Sequence, residues 1–417
     1  MKRVGVTSFV LTSLDDIAWL FNIRGNDIPC FPVVLSFAYI TMNEARIYVN
    51  RETISETIEK ILNSEGITVK EYHEIYDDIK NMSESEIVLL DSSRVNYKIV
   101  SMIPKHATIV DQINPTTLAK ARKNEVEVEN LRRAHVKDGV AVTKFMYWLK
   151  TNFGKIPMTE ISVSDYIAKM REEQEGFIEL SFTTISAFGA NAAMMHYCAN
   201  ETSNATLEPG AFLLVDSGGQ YYEGTTDITR TFALGEVSDE LKRHFTLVTK
   251  SNMNLANARF LHGCTGMNLD ILARGPLWEI GIDYRCGTGH GVGYLLNVHE
   301  APNGFRWKKV PERNDSCVLE PGMFTTDEPG VYIEGSHGIR IENELICRHD
   351  ETNEYGDFLS FENITLAPID LDAIDKKYLQ PKDIEQLNAY HKNVYEKISP
   401  YLNEEEKEWL KVYTRAI

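Results

Sequence analysis

Between residue 1 and about residue 120, short apolar runs alternate with stretches whose apolar positions recur every three or four residues. VLSFAYITM, ARIYV, EIVLLD and ATIVD read as strands, and ETISETIEKILNSEG and EYHEIYDDIKN as helices. Short β-branched or alternating runs suit a pleated strand, whereas a period near 3.6 suits a helix. That alternation predicts a small α/β domain with a sheet covered on its faces. INPTTLAKARK follows, with Pro115 and a basic cluster, and reads as a linker. The domain boundary is therefore placed near residue 120, giving an N-terminal α/β domain over 1–120 and a second domain over 121–417.

In the second part Val128, Leu131, Val142, Phe145 and Leu149 keep one helical phase, which predicts a long amphipathic helix over 124–152. SVSDYIAKMREEQEG predicts another, with Ser162 as its cap and Gly176 as its stop. Strands then dominate: GFIELSFTTIS, AFLLVDSGGQ, YEGTTDITRTFAL, CVLEPGMFTTDEPGVYI and GIRIENELICR. Helices over 238–257 and around MNLDILARGPLWEIG separate them. The mixture predicts an α+β domain, an antiparallel sheet with helices packed on one side.

Composition narrows the class. A chain of 417 residues, 43% hydrophobic and 25% charged, has material for two or three domains with a substantial core. A net charge of −18 argues against a nucleic-acid partner, which calls for a basic face. The six cysteines (Cys30, Cys198, Cys264, Cys286, Cys317 and Cys347) form no CxxC pair. They read as reduced, mostly buried thiols of a cytoplasmic protein. Lys2 and Arg3 ahead of VGVTSFVLTSL look superficially like a signal peptide, but Asp15 and Asp16 interrupt the run and no small-residue cleavage site follows. No stretch is long enough to span a bilayer, so no membrane partner is expected.

The chemistry lies in the second half, where Asp216, Asp227, His290, Glu328 and Glu342 follow one another in AFLLVD, TTDITRTFAL, GTGHGVGY, FTTDEPG and GIRIEN. A turn at SGGQYYEG would fold two strands back and bring Asp216 to Asp227. An aspartate at a strand end is more often a turn former, but a carboxylate inside an apolar run is costly unless paired or metal-bound. For Asp216 and Asp227 the metal reading wins; for Glu328 and Glu342 spacing alone leaves it balanced against solvated loops. Four carboxylates cancel the charge of two divalent cations, and oxygen donors with one imidazole suit Mn2+, Co2+ or Zn2+. Two such ions about 3.5–4 Å apart would activate a water between them. Competing motifs fail. The glycines around His290 do not fall at G-x-G-x-x-G, His299-Glu300 lacks the second histidine of a zincin, and no G-x-S-x-G elbow is present. Those glycines are expected to let the backbone approach the metals.

VDSGGQYYEGTTDITRTF, GTGHGVGYLLNVHE, TTDEPGVY and GIRIENE resemble the pita-bread metallopeptidases, and most nearly the Xaa-Pro aminopeptidases, or aminopeptidase P. The resemblance runs from SLDDIAWLFNIRGNDIP through RRAHVKDGVAV and FTTISAFGANAAMMHY to EQLNAYHKNVYEKISPYL. It implies a curved pita-bread sheet with two metals on its inner face, held by Asp216, Asp227, His290, Glu328 and Glu342. Mn2+ is the leading ion, with Zn2+ or Co2+ as alternatives. It further implies that Glu328 moves the proton between attacking hydroxide and leaving nitrogen, while His196 and His299 bind the peptide around the scissile bond and act catalytically, donating to the developing oxyanion or transferring protons. Arg340 is expected to hold a ligand carboxylate, against the alternative of an exposed surface arginine. Phe188 and Tyr294 are offered as walls for a proline ring.

Two departures from the family pattern stand out. The family usually reads HGTGHGVG where this chain reads CGTGHGVG, so Cys286 replaces a substrate-contacting histidine. A thiol is the poorer donor, which predicts weakened catalysis or a shifted preference, with oxidation sensitivity as a lesser alternative. Larger members also carry a further N-terminal domain ahead of the segment matching residues 1–120. The function implied is release of the first residue from peptides with proline second, by a metal-bridging hydroxide, in a homodimer. Prolidase, which cleaves Xaa-Pro dipeptides, is the competing enzyme reading, and a catalytically weakened pita-bread binding protein is the non-enzyme one.

Overall fold

Six strands make the sheet of the first 120 residues, in the order Ile67–Glu71, Ala45–Val49, Ser36–Thr41, Ser8–Leu11, Ile87–Leu90 and Thr108–Asp111. The computed structural model describes residues 1–83, 85–310 and 315–417, and its chain separates into units Met1–Lys120 and Ala121–Ile417. Ser8–Leu11 lies at the sheet centre, antiparallel to Ser36–Thr41, parallel to Ile87–Leu90 and buried throughout. Phe9 and Leu11 pack with Ile17, Phe21 and Ile47 on one face, and Val10 with Tyr39, Val88 and Ile99 on the other. A strand covered on both faces needs a continuous apolar run, which is how FVL serves here. Ile67–Glu71 is a second strand absent from the sequence reading.

INPTTLAKARK is not an open linker. Pro115–Ala121 is a helix, compatible with proline at its first position, where the missing N–H costs nothing. Lys120 is buried and its ammonium lies 3.0 Å from Asp15.

In the second unit the helix Glu125–Asn152 opens with a reciprocal box in which Asn124 accepts from Glu127 N–H and Glu127 accepts from Asn124 N–H. Its inward stripe holds Leu131, Val142, Phe145 and Leu149; the last three pack with Val163, Ile167, Leu213 and Phe232, and Leu131 with Val292, Phe324 and Ile346. The following helix spans Glu160–Glu172, one turn earlier than its sequence pattern suggested. Thr159 is its cap, and Ser162 is the reciprocal partner, accepting from Thr159 N–H at 2.8 Å. Asp239–Ala256 and Gly266–Trp278 are the next two long helices.

Among the described residues every strand pair in this unit is antiparallel. One sheet orders Ile228–Leu234, Ala211–Ser217 and Ile185–Phe188. A second orders Arg259–Leu261, Gly356–Asn363, Asn343–Asn353, Phe324–Asp327, Gly289–Gly291 and Glu300–Phe305. Gly330–Ile333 with His337–Arg340 forms a hairpin, and Gly224–Thr225, Gly219–Tyr221 and Phe177–Leu180 form a short sheet. The long apolar runs read as single strands are thus each cut in two, so that one run contributes to two sheets.

Candidate metal centre

Asp216 and Asp227 are set by one hairpin. Strand Ala211–Ser217 carries Asp216, which faces Thr229 on the returning strand, and Asp227 immediately precedes that strand. The chain turns between Tyr221 and Gly224. The other three candidates come from the second sheet. His290 lies on Gly289–Gly291, Glu328 directly follows Phe324–Asp327, and Glu342 directly precedes Asn343–Asn353. Asp327 pairs with Asn343, which brings Glu328 and Glu342 to the same end of adjacent strands.

One ligand atom each from Asp227, His290 and Glu342 lies within 4.8 Å of the others. His290 Nε2 is 3.6 Å from Asp227 Oδ2 and 3.4 Å from Glu328 Oε1. Its Nδ1 is 2.9 Å from the Gly291 carbonyl oxygen. A carbonyl only accepts, so Nδ1 carries the proton and the Nε2 lone pair faces the carboxylates. The Thr326 hydroxyl donates to Glu328 Oε1 at 3.0 Å and accepts His290 N–H at 3.0 Å. Thr229 donates to Glu342 Oε2 at 2.7 Å.

Arg340 is buried, not exposed, and donates to Asp216 Oδ2. The other oxygen, Oδ1, is buried without a hydrogen-bond partner. Burial and the neighbouring Glu342 and Asp216 hold the Asp227 carboxyl far above its ordinary range. Burial, with Glu328 and Asp216 beside it, does the same to Glu342. Burial pushes Glu328 up to about 7 against the opposing pull of Arg340. Crowded, buried carboxylates that repel one another are expensive without a cation. The unpartnered Asp216 oxygen and the carboxylate donors with their single imidazole therefore fit divalent metal ions.

The remaining candidates lie at different distances from this cluster. His196 is exposed, and its charge lowers the proton affinity of Glu328, which puts it within electrostatic reach. His299 is exposed, with its ring centroid 4.2 Å from that of His290. Cys286 is half-buried, and burial, followed by the charge of Glu328, pushes its thiol up to about 12. It stays protonated near neutral pH, which argues against the oxidation-sensitive alternative. Phe188 packs partly against the Val163, Ile167 and Leu213 core. The Tyr294 hydroxyl accepts from Asn130, and its ring sits by Leu131 and Val292. Both are engaged in packing and only partly buried.

The glycines near His290 serve strand packing. A Cβ at Gly289 would lie 1.8 Å from the Thr326 carbonyl oxygen, and one at Gly291 2.3 Å from that of Glu300. They admit the neighbouring strands at this close approach. The thiols also differ from expectation: Cys347 alone is buried, Cys198 is exposed, the other four are half-buried, and all six are unbridged.

Sequence reasoning passed over His135 and Glu344. Glu344 Oε2 accepts Asp227 N–H at 3.0 Å and is hydrogen-bonded to His135 Nε2, while His135 Nδ1 lies 2.7 Å from the Leu131 carbonyl oxygen. Helix Glu125–Asn152 thereby reaches a candidate ligand's backbone through two buried side chains. Glu344 stands at the head of the apolar run LIC as Asp216 stands at the end of AFLLV, so both carry the signal of a charge bordering an apolar strand.

Three family descriptions match the chain: Creatinase/Prolidase N-terminal domain over residues 1–127, Metallopeptidase family M24 over 129–349, and the C-terminal region of peptidase M24 over 357–417. Aminopeptidase P1 of Arabidopsis thaliana is 36% identical, the alignment covering 100% of this chain and 72% of the plant protein. A probable Xaa-Pro aminopeptidase P of Sclerotinia sclerotiorum is 39% identical over 97% of this chain and 69% of its own length. Among solved structures, the X-prolyl aminopeptidase of Caenorhabditis elegans, described as a cytosolic enzyme with a di-nuclear active site, superposes with a TM-score of 0.93 at 34% identity. That match covers 100% of this chain and 69% of the other. The Xaa-Pro dipeptidase of Bacillus anthracis gives 0.67 at 26% identity, over 89% of this chain and 96% of its own.

Proposed function

The chain belongs to metallopeptidase family M24, and from that membership we propose that it is a metallo-aminopeptidase hydrolysing the N-terminal Xaa-Pro bond of peptides. The observation carrying this reading is the buried carboxylate cluster around His290, where Asp227 and Glu342 converge. The closer structural likeness to an X-prolyl aminopeptidase than to a dipeptidase supports it over prolidase.

Asp216, Asp227, His290, Glu328 and Glu342 would hold two divalent cations, with Mn2+ first and Zn2+ or Co2+ as alternatives. When bound, such a pair supplies Lewis-acid polarisation of the scissile carbonyl and a water acidic enough to attack near neutral pH. Glu328 takes a proton on its carboxylate and returns it to the leaving proline nitrogen, a role suited to a carboxyl that burial has raised towards the working pH. His196 and His299, both exposed, hydrogen-bond the peptide on either side of the scissile bond. Cys286 lies where the substrate continues beyond that bond, and its weak donor leaves this contact underused. An Xaa-Pro bond has no N–H and a fixed ring, so a cleft suited to it discriminates by shape as well as by charge.

A homodimer in the cytoplasm completes the reading. Met267, Ile271 and Trp278 line one exposed side of the helix Gly266–Trp278, with exposed Trp307 beside Trp278 at 5.9 Å between ring centroids. An apolar stripe of this kind calls for cover. Among the described residues no helix is long and apolar enough to cross a membrane, and the Caenorhabditis elegans relative is described as cytosolic.

Comparing turnover of Xaa-Pro-Xaa peptides with Xaa-Pro dipeptides tests the assignment. Release of the first residue from the longer peptide is expected to dominate; a preference for the dipeptide would return prolidase to first place.

A further inference from the structure

Glu160 is the first residue of the helix Glu160–Glu172 and is fully buried. Among the described residues no cation pairs with it, and its carboxylate accepts from neutral donors of the segment 188–205. Phe188 N–H reaches Oε1 at 2.7 Å and Asn191 Nδ2 reaches it at 2.9 Å. Tyr197 OH and Ala205 N–H each reach Oε2 at 2.8 Å. Glu160 N–H in turn donates to the Ala205 carbonyl at 3.1 Å. One side chain therefore ties down both ends and the middle of the loop that carries His196.

The same loop is wedged between two strands that carry candidate site residues. Ala192 and Tyr197 pack with Leu214, two positions before Asp216. On the other side the turn Gly189–Ala193 lies against the strand His337–Arg340. A Cβ at Gly338 would stand 1.7 Å from the Ala192 carbonyl oxygen, so only glycine allows this approach. The loop's seat is thus fixed by strand packing, and its internal shape by Glu160.

We propose that Glu160 is a positioning residue that holds His196 at the substrate cleft. This rests on the aminopeptidase reading for its catalytic consequence, whereas the tie between Glu160 and the loop does not. An isosteric glutamine separates the two. Its amide offers one acceptor oxygen where the carboxylate offers two, so the NH2 must face either Phe188 N–H or Ala205 N–H. A backbone N–H cannot reverse its direction, and one end of the loop is left with donor against donor.

The experiment is hydrogen exchange on Glu160→Gln and the milder Tyr197→Phe, together with Mn2+ titration and steady-state kinetics on an Xaa-Pro-Xaa peptide. Glu160→Gln is expected to speed amide exchange across 188–205 and to raise KM about tenfold, the cost of one unpaired buried donor. Metal stoichiometry should hold. Tyr197→Phe should show a smaller change confined to the same segment. Unchanged exchange in 188–205 for both variants overturns the proposal, as does faster exchange there with KM unaltered. If the wild-type protein fails to cleave the peptide, the aminopeptidase reading falls and, with it, the catalytic half of this proposal; unchanged loop exchange with normal turnover removes the proposal alone.

Discussion

Arg340 Nη2 donates to Asp216 Oδ2 at 2.5 Å while its Nε reaches the Thr229 hydroxyl at 3.0 Å and its Nη1 the Tyr332 hydroxyl at 2.8 Å. Three anchors on one planar guanidinium fix the rotation of Asp216 and leave Oδ1 turned away from the arginine. Arg340→Met is expected to lower affinity for one of two Mn2+ ions about 10–100-fold, the usual cost of losing such a partner of a metal ligand. Titration of chelator-treated protein measures it. Arg340→Lys should rescue little, since a point charge cannot reach in three directions.

Glu344→Met removes the acceptor for Asp227 N–H and strands His135 in the core. Loss of a buried hydrogen-bonded partner costs about 1–3 kcal/mol, readable as a lower midpoint in urea, with weakened metal binding beside it. Glu344→Gln, which keeps an oxygen for Asp227, should lie between this variant and the wild type. Equal midpoints for all three proteins would remove Glu344 from the account.

How far these residues were legible follows from where their signals lie. Asp216 stands out in AFLLVD because a charge bordering an apolar run needs a reason. Glu344 in ELIC carries the same signal, yet its partner His135 sits 209 positions away on a helix, and no local pattern announces such a pairing. Ser8–Leu11 was masked by the basic residues before it, although a run with no polar interruption is what a central strand requires. Thr159 and Ser162 were exchanged as caps because each accepts a backbone N–H of the other, so either hydroxyl fits the pattern.

Metal should stabilise the protein more at higher pH. Burial holds the carboxyls of Asp227 and Glu342 up, and Glu328 up to about 7 against an ordinary value of 4.5. Without metal these groups bind protons more tightly folded than unfolded. The contribution of Glu328 to stability is complete below pH 4.5 and is lost as pH rises through about 7, and those of Asp227 and Glu342 are likewise lost as pH rises. Cations replace those protons. The rise in Tm on adding Mn2+ to chelator-treated protein is therefore expected to be larger at about pH 8 than at about pH 6; an equal rise at both would show that these carboxyls do not meet the ion.

Cys286→His should raise kcat/KM for Xaa-Pro-Xaa peptides by restoring a nitrogen donor near Glu328, by about the tenfold that one added hydrogen bond supplies. Metal content should not change. Identical kinetics would mean that position 286 does not contact bound peptide.

Anomalous diffraction from crystals grown with Mn2+ reaches the central claim most directly. Two peaks are expected within coordinating distance of Asp216, Asp227, His290, Glu328 and Glu342, with the unpartnered oxygen of Asp216 on one of them. Peaks confined to the surface, or none inside this carboxylate cluster, would contradict the metallopeptidase account.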